Sequence, residues 1–285
     1  MRKILLQLDT DPQPSVFDAV TALDSADCVL LRHGGVTPEN VTGLVHGCMF
    51  TRSPRDLADT AIFIGGSGMA AAEAVLAKVK ETMWPPLHVS VMFDPNGSNT
   101  TAAAAVCNIA ARTQLAGKKV LVVSGTGPVG QRAAGLLLGL GAVVTITSRS
   151  IEKARTAADE IAKRFGTQPA GAVMRGDDDL PPLLDGATAV LCCGAAGVRL
   201  LPESLWKGHP TLRVLADVNA VPPLGIEGTE THWRGEEVDG KAVFGAIGIG
   251  ALKMNVHRRA VAKLFEEKGI LLDTEGIYEI AAAMR

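Results

Sequence analysis

The segment Gly125-Thr126-Gly127-Pro128-Val129-Gly130 has the residue types and spacing that hold a dinucleotide pyrophosphate. The apolar run Val120-Leu121-Val122-Val123 precedes it, and an Ala/Leu-rich helical pattern follows. Gly125 is expected at the tight turn and Gly127 where backbone approaches the pyrophosphate at a helix N-terminus; Gly130 is expected where helix packs on strand. Thr126, Pro128 and Val129 complete the loop. The next apolar run, 143–147, ends in Ser148-Arg149-Ser150. An NAD site places a carboxylate at this strand tip, about 20 residues beyond the glycines, to accept from the ribose 2′-hydroxyl. No carboxylate stands at this tip. Arg149 offers a forked donor to a 2′-phosphate, Ser148 and Ser150 offer hydroxyls, and Lys153 follows close by, so the pattern points to NADP. The bland alternatives are a glycine turn without a ligand and a solvated arginine. The order strand, motif, helix, strand argues against both.

Two further strand ends are expected near the nicotinamide half of such a cofactor. One is Cys192-Cys193-Gly194-Ala195 and the other Asp217-Val218-Asn219, with Gly194, Ala195 and Asn219 as contacts. Cys192 and Cys193 read as small core residues rather than nucleophiles, because no base adjoins them. Gly245-Ala246-Ile247-Gly248-Ile249-Gly250-Ala251-Leu252-Lys253 has glycines at close intervals, which suggests backbone approaching a ligand ahead of a helix. Ala246 is a cofactor contact on this reading. Lys253 is either a cleft residue or a solvated helix lysine.

Polar residues gather in two other places. Asp9-Thr10-Asp11-Pro12-Gln13-Pro14-Ser15-Val16-Phe17-Asp18 and Asp94-Pro95-Asn96-Gly97-Ser98-Asn99-Thr100-Thr101 each follow an apolar run and precede a helical pattern. Ser98 or Asn99 can cap a helix. The density of donors and acceptors exceeds one cap, and would suit a polar ring such as a pterin. Gly65-Gly66-Ser67-Gly68 lacks the lysine of a phosphate cradle and reads as a strand-to-helix turn. Asp177-Asp178-Asp179 reads as a solvated helix start. The six histidines show no metal-ligand spacing, and no metal is expected; His257 reads as a helix-surface residue, with a place near the cleft as the alternative.

Positioning these segments takes an alternation of short strands and helices. Strands are expected at 4–8, 28–32, 61–64, 89–93, 120–123, 143–147, 189–193, 214–217 and 243–247. Helices are expected at 69–82, 101–115, 129–140, 151–164, 253–267 and 274–284. Continuously apolar strands separated by helices imply parallel sheets covered on both faces. The expected class is α/β with two domains: a Rossmann-type parallel-sheet NADP domain at 117–252 and an α/β substrate domain at 1–116, to which 253–285 returns. A cleft is expected between them. The chain's 285 residues, 47% of them hydrophobic, suffice for two cores. A net charge of −2 gives no reason to expect a nucleic-acid or membrane partner. Five cysteines without a C-x-x-C pair do not suggest a disulfide framework, and no apolar run approaches a membrane span, so the expected location is cytoplasmic.

The chain resembles the bacterial NADP-dependent methylene-tetrahydromethanopterin dehydrogenases. The resemblance covers essentially the whole length. It is carried by Gln7-Leu8-Asp9-Thr10-Asp11, Pro14-Ser15-Val16-Phe17-Asp18, Val36-Thr37-Pro38-Glu39-Asn40, Asn96-Gly97-Ser98-Asn99-Thr100-Thr101, the glycine motif, Pro222-Pro223-Leu224-Gly225-Ile226 and Gly248-Ile249-Gly250-Ala251-Leu252-Lys253. It implies NADP in the second domain, a reduced pterin in the cleft, and a homo-oligomer, a trimer or dimer of trimers. On this resemblance Asp18 and Asp94 are candidates for a carboxylate near the reacting carbon, and Lys253 for orienting the pterin. Ser15, Phe17, Asn96, Gly97, Ser98, Thr100 and Thr101 would hold the ring. Two positions depart from relatives: Ser150 replaces a second basic residue found in some, and Cys192-Cys193 replaces small or hydroxyl residues. Tetrahydrofolate as substrate, a shikimate-type dehydrogenase and a non-catalytic NADP sensor stay open as alternatives.

Overall fold

A computed structural model describes all residues, Met1–Arg285. The chain forms two compact units, Met1–Thr100 with Met254–Ile280, and Thr101–Lys253 with Ala281–Arg285. The first unit begins β1 (Lys3–Asp9), α1 (Val16–Ser25), β2 (Cys28–His33), α2 (Val41–Phe50), β3 (Thr60–Gly65), α3 (Met69–Thr82), β4 (Ser90–Phe93) and α4 (Ser98–Ala110). The second follows with β5 (Lys119–Val123), α5 (Pro128–Gly139), β6 (Val143–Ser148), α6 (Ile151–Phe165), β7 (Ala170–Val173), α7 (Leu180–Leu184), β8 (Ala187–Cys192), α8 (Glu203–Trp206), β9 (Val214–Asp217), β10 (Arg234–Val238), β11 (Lys241–Phe244) and α9 (Ala246–Lys263). β12 (Leu271–Leu272) and α10 (Thr274–Ala283) close the chain. The division between units falls inside α4, α9 and α10.

The first unit's sheet has the order β12-β4-β3-β1-β2, and every pairing is parallel. The order reverses between β1 and β3, so this sheet has its switch point there. In such sheets ligands bind outside the carboxyl ends at that point. β3, with all six residues buried, is covered on both faces, as a central parallel strand must be. Leu6, Leu8, Ile62, Ile64 and Phe93 pack against Val41, Val45 and Met49 of α2 and Val75 and Val79 of α3.

The second sheet has the order β10-β11-β9-β8-β5-β6-β7, parallel except for the β10–β11 hairpin. Its switch point lies between β5 and β8, the arrangement of a Rossmann unit. Trp206 is fully buried and donates Nε1 to the Glu227 carbonyl at 2.9 Å, anchoring the core under β8 and β9. α6 begins at Ser150, whose Oγ accepts from Lys153 N, and stops at Gly166, whose φ of 77° suits a residue without Cβ.

Several expectations change. The expected strand over 243–247 ends at Phe244, because α9 already begins at Ala246. β7, β10, β12 and α2 were not anticipated. α4 starts at Ser98, ahead of the expected Thr101. No helix is long and apolar enough to cross a membrane.

Candidate functional site

In the second unit, a cavity of ≈ 400 Å3 opens at the carboxyl ends of β5, β6, β7 and β8. The glycine turn contributes Ser124 and Thr126 to its wall; Ser148, Arg149, Ser150 and Lys153 follow β6. Met174, Arg175, Gly176 and Asp177 follow β7, and Cys193, Gly194, Ala195, Val198, Arg199 and Leu200 follow β8.

The glycines divide their work differently from expectation. The left-handed residue of the turn is Ser124, with φ 54° and its N–H donated to the buried Thr147 Oγ1 at 3.0 Å. Gly125 is required for space: a Cβ there would stand 2.9 Å from Val122 Cγ1 and 3.2 Å from Ile146 Cβ. A Cβ on Gly130 would stand 2.5 Å from Gly125 Cα, so close helix–strand packing demands glycine. Gly127 faces open space, with nothing within 4 Å of a Cβ. As N-cap of α5 it supplies no side-chain acceptor, Pro128 follows it, and no acid stands in the first turn. The helix end is left with orphan N–H groups and a positive dipole, which fits a pyrophosphate. Gly125, Gly127, Pro128, Val129 and Gly130 thus shape the turn, and the cavity wall itself takes Thr126.

The wall around Arg149 is basic and partly uncommitted. Arg149 and Lys153 are exposed, and neither side chain has a carboxylate within ion-pair distance. Ser148 Oγ accepts weakly from Ser150 N at 3.4 Å. Ser150 is less available than expected: its hydroxyl donates to Glu152 Oε2 at 2.5 Å and accepts from Lys153 N at 3.3 Å. Glu152, exposed in the first turn of α6, is held below the usual carboxylate range chiefly by that hydroxyl. Across the cavity, Arg199 Nη2 pairs with Asp177 Oδ2 at 2.7 Å and its Nη1 with Glu227 Oε2 at 3.5 Å. The loops after β7 and β8 flank β6 and β5 in the sheet, so the Arg199–Asp177 pair ties together the two sides of the cavity. Arg175, Asp177, Arg199 and Glu152 were not anticipated as site residues.

Asn219 and Ala246 do not line this cavity. Asn219 Nδ2 donates to Pro223 O at 3.1 Å, and its Oδ1 accepts from Val221 N at 2.9 Å and Gly197 N at 3.4 Å. It fixes the loop after β9 and ties it to the loop that carries Gly194 and Ala195. Asp217 organises the same segment, accepting from Asn219 N and Ile226 N at 2.9 and 3.1 Å. Burial pushes its carboxyl above the usual range, with those N–H groups opposing the rise. Ala246 opens α9, and the crowded glycines beside it approach protein: a Cβ on Gly245 would stand 2.1 Å from Glu230 O, and one on Gly248 would stand 1.9 Å from Trp233 O. Burial, with Asp217 adding to it, raises the Cys192 and Cys193 thiols, so both stay protonated and neither serves as a nucleophile.

In the first unit, polar side chains meet at the β1/β3 switch point. Asp9, which lies opposite Gly65 in the sheet, is buried and accepts from Asp11 N at 3.0 Å and Ser15 N at 2.9 Å. Asp11 accepts from Ser67 N and Ser67 Oγ at 2.9 and 2.8 Å, tying the β1 loop to the β3 turn. Ser15 caps α1 by accepting from Asp18 N at 3.2 Å. The Asp18 side chain is buried and directed to this point: a Cβ on Gly65 would lie 3.5 Å from Asp18 Oδ2 and 3.5 Å from Asp9 Oδ2. Phe17 is exposed.

The 93–101 loop is more inward than expected. Asp94 is fully buried; Oδ1 accepts from Asn99 N at 2.9 Å and Thr100 N at 3.0 Å, and Oδ2 from Thr100 Oγ1 at 2.7 Å. Ser98, also buried, donates to Pro95 O at 2.8 Å. Asp94, Ser98 and Thr100 therefore build the start of α4, and the contacts of Asp94 are those of a helix cap. Asn96 is exposed with φ 53°, Gly97 follows with φ 61°, and Thr101 is half-buried. His257 is fully buried rather than on a helix surface, stacked on Phe63 with ring centroids 5.7 Å apart and 3.8 Å from Asp94 Oδ2. Lys253 is half-buried on α9. Asp94→Ala strands two buried N–H groups, and its expected cost is about 2 kcal/mol or more of stability. Thermal unfolding checks this, and an unchanged midpoint contradicts it.

A Rossmann sheet with a glycine turn, a free helix N-terminus and a basic wall defines a dinucleotide-binding α/β protein. Solved structures of that architecture match it over nearly the whole chain. A shikimate 5-dehydrogenase from Mycobacterium fortuitum gives a TM-score of 0.52 at 16% identity, covering 98% of both chains. A quinate dehydrogenase from Corynebacterium glutamicum in complex with NAD gives 0.52 at 16%, covering 99% of this chain and 100% of that one. A family profile described as methylene-tetrahydromethanopterin dehydrogenase, N-terminal, matches residues 16–96. Two proteins of Methylorubrum extorquens are similar throughout. The bifunctional protein MdtA is 45% identical over 285 residues, covering 99% of each chain. An NAD(P)-dependent methylenetetrahydromethanopterin dehydrogenase is 33% identical over 299 residues, covering 98% of each. The chain belongs to the methylene-tetrahydromethanopterin dehydrogenase family.

Proposed function

We propose that this chain oxidises methylene-tetrahydromethanopterin to the methenyl form with NADP as hydride acceptor. The observation that carries the proposal is the cavity at the carboxyl ends of β5 to β8, with an uncapped helix N-terminus and a basic wall, in a chain of this family. The first unit would be the substrate domain and the second the cofactor domain. The α5 N-terminus would hold the pyrophosphate, Arg149, Lys153 and Ser148 the 2′-phosphate, and Gly194 and Ala195 the nicotinamide half. When bound, the cofactor supplies a ring that accepts hydride.

The substrate's own chemistry sets the demands on the protein. Its methylene carbon lies between two nitrogens. The C–H bond breaks with both electrons leaving as hydride, and the remaining positive charge is shared across both nitrogens. No proton leaves the reacting carbon, so no general base is needed. The chain's residues align two rings and offer negative potential where positive charge grows. Asp18, buried at the switch point beside Asp9, would be the carboxylate for that task. Phe17, Asn96, Gly97 and Thr101 would contact the pterin, and Lys253 would orient it. The homo-oligomer implied by the resemblance belongs to the same proposal, with the exposed apolar stripe Val16, Val20 and Leu23 of α1 as a surface for a second copy to cover.

In a second reading methylene-tetrahydrofolate, which shares the carbon between two nitrogens, is an additional substrate. A spectrophotometric assay of NADPH formation with each pterin tests both readings.

The cofactor preference gives a separate prediction. Arg149→Ala should raise the Michaelis constant for NADP by about tenfold, as expected for loss of one partly solvated charge-assisted contact, and leave NAD use little altered. Steady-state kinetics with both cofactors checks it. A NADP-to-NAD ratio within about twofold of the parent, far short of the tenfold that about 1.4 kcal/mol gives, places the phosphate elsewhere.

A further inference from the structure

The cations on the cavity wall fall into two groups. Arg199 is paired, with Asp177 at 2.7 Å and Glu227 at 3.5 Å. Arg149, Lys153 and Arg175 have no carboxylate within ion-pair distance, although all three line the same cavity. Arg175 is held in place through its backbone N–H and its Nε. Its backbone N–H donates to Asp179 Oδ2 at 2.7 Å, and its Nε donates to the Arg149 carbonyl at 3.4 Å. Both terminal nitrogens of its guanidinium are left without a partner in the chain.

Sheet geometry explains why the two arginines come together. β6 and β7 are adjacent and in register, with Ser148 opposite Val173, and Met174 N donates to Ser148 O at 2.9 Å. The residues that follow each strand are therefore neighbours, and each is an arginine within two residues of its strand end. Glu152 and Asp179 are nearby opposing charges, and Asp179 is taken up by the Arg175 backbone N–H. Glu152 is exposed and hydrogen-bonded to Ser150, and Arg155 and Arg175 add smaller pulls on its carboxyl after that hydroxyl. Neither carboxylate forms an ion pair with the Arg149, Lys153 or Arg175 side chain, so three cations stand unpaired on one wall. A doubly charged, forked acceptor would balance them.

We infer that Arg175 is the second guanidinium of the 2′-phosphate site, held by the Arg149 carbonyl, so that discrimination of NADP from NAD rests on arginines from two adjacent strand ends. This deepens the NADP reading above and rests on it. Arg175 sets specificity through the phosphate and takes no part in the hydride step.

Calorimetric titration of the full chain with NADP and, separately, with NAD tests the inference without any turnover. Arg175→Ala should weaken NADP by about tenfold and leave NAD within about twofold. The slope of log Kd against log salt should fall for NADP alone. Arg175→Lys keeps the charge but loses the fork, and should recover part of the loss. The unchanged NAD affinity is the control for folding. Equal weakening of both cofactors would overturn the inference, as would unchanged NADP binding in a parent that prefers NADP. A parent that binds NAD as tightly as NADP overturns the NADP reading itself. A parent that shows the Arg175 effect yet turns over no pterin overturns the proposed reaction and leaves the inference standing.

Discussion

Replacing Asp18 by asparagine is expected to lower kcat with methylene-tetrahydromethanopterin by about 100-fold, while the Kd for NADP stays within about twofold. The expectation follows from where α1 begins. Ser15 caps that helix through the backbone N–H of Asp18, so the carboxylate itself is not needed for the cap. That carboxylate is instead buried at the β1/β3 switch point, close to Gly65 and Asp9. Asparagine keeps the shape and removes the charge. Negative potential fixed before the reaction helps most where positive charge grows in the transition state, so the loss should fall on kcat more than on KM. Steady-state kinetics with calorimetric NADP binding separates the two. A folded Asp18→Asn protein with parental kcat removes Asp18 from the mechanism.

Gly130→Ala is expected to lose binding of both NADP and NAD by about 100-fold or more and to lower the unfolding midpoint. The new Cβ would lie 2.5 Å from Gly125 Cα and 2.6 Å from Gly125 O, and neither atom belongs to a side chain that could rotate away. α5 must move off the strand, and its N-terminus moves with it. Overpacking of this kind costs about 1–3 kcal/mol, or roughly 2–12 °C for a unit of this size. Gly127→Ala is the informative partner, since its Cβ meets nothing within 4 Å. It should leave the midpoint unchanged and weaken only the cofactor. Parental stability and affinity in Gly130→Ala would show that the turn tolerates what the geometry forbids.

The strongest elements were readable because their signals are local. The runs ending at Val123 and Ser148 and the glycine motif between them specify strand, turn and strand from residue type alone. The misses have identifiable causes. β7 is Ala170-Gly171-Ala172-Val173, too small to register as an apolar strand; its smallness serves close packing, since a Cβ on Gly171 would lie 3.1 Å from the Ala154 backbone. Arg175, two residues beyond this strand, carries no sequence signal of its own. α2 contains Gly43 and Gly47, poor helix formers, and is held by burial of Val41, Val45 and Met49. The start of α4 was misjudged because Asp94 caps it from across the Pro95–Gly97 turn. The same donors and acceptors that could bind a polar ring can also build a helix start, and Ser98 and Thr100 do the latter. Which of these a hydroxyl serves depends on burial, which spacing does not encode. His257 lies inside rather than on a helix surface for the same reason: its ring fits between Phe63 and Asp94, residues distant in sequence.

The central claim is hydride transfer from a methylene-pterin, and the direct measurement follows NADPH and methenyl-pterin together by absorbance. The full chain is supplied with NADP and methylene-tetrahydromethanopterin, and in parallel with NADP and methylene-tetrahydrofolate. The prediction is that NADPH and methenyl-tetrahydromethanopterin rise at the same rate and in equal amounts. A chain that binds NADP yet forms neither product from either pterin would contradict it.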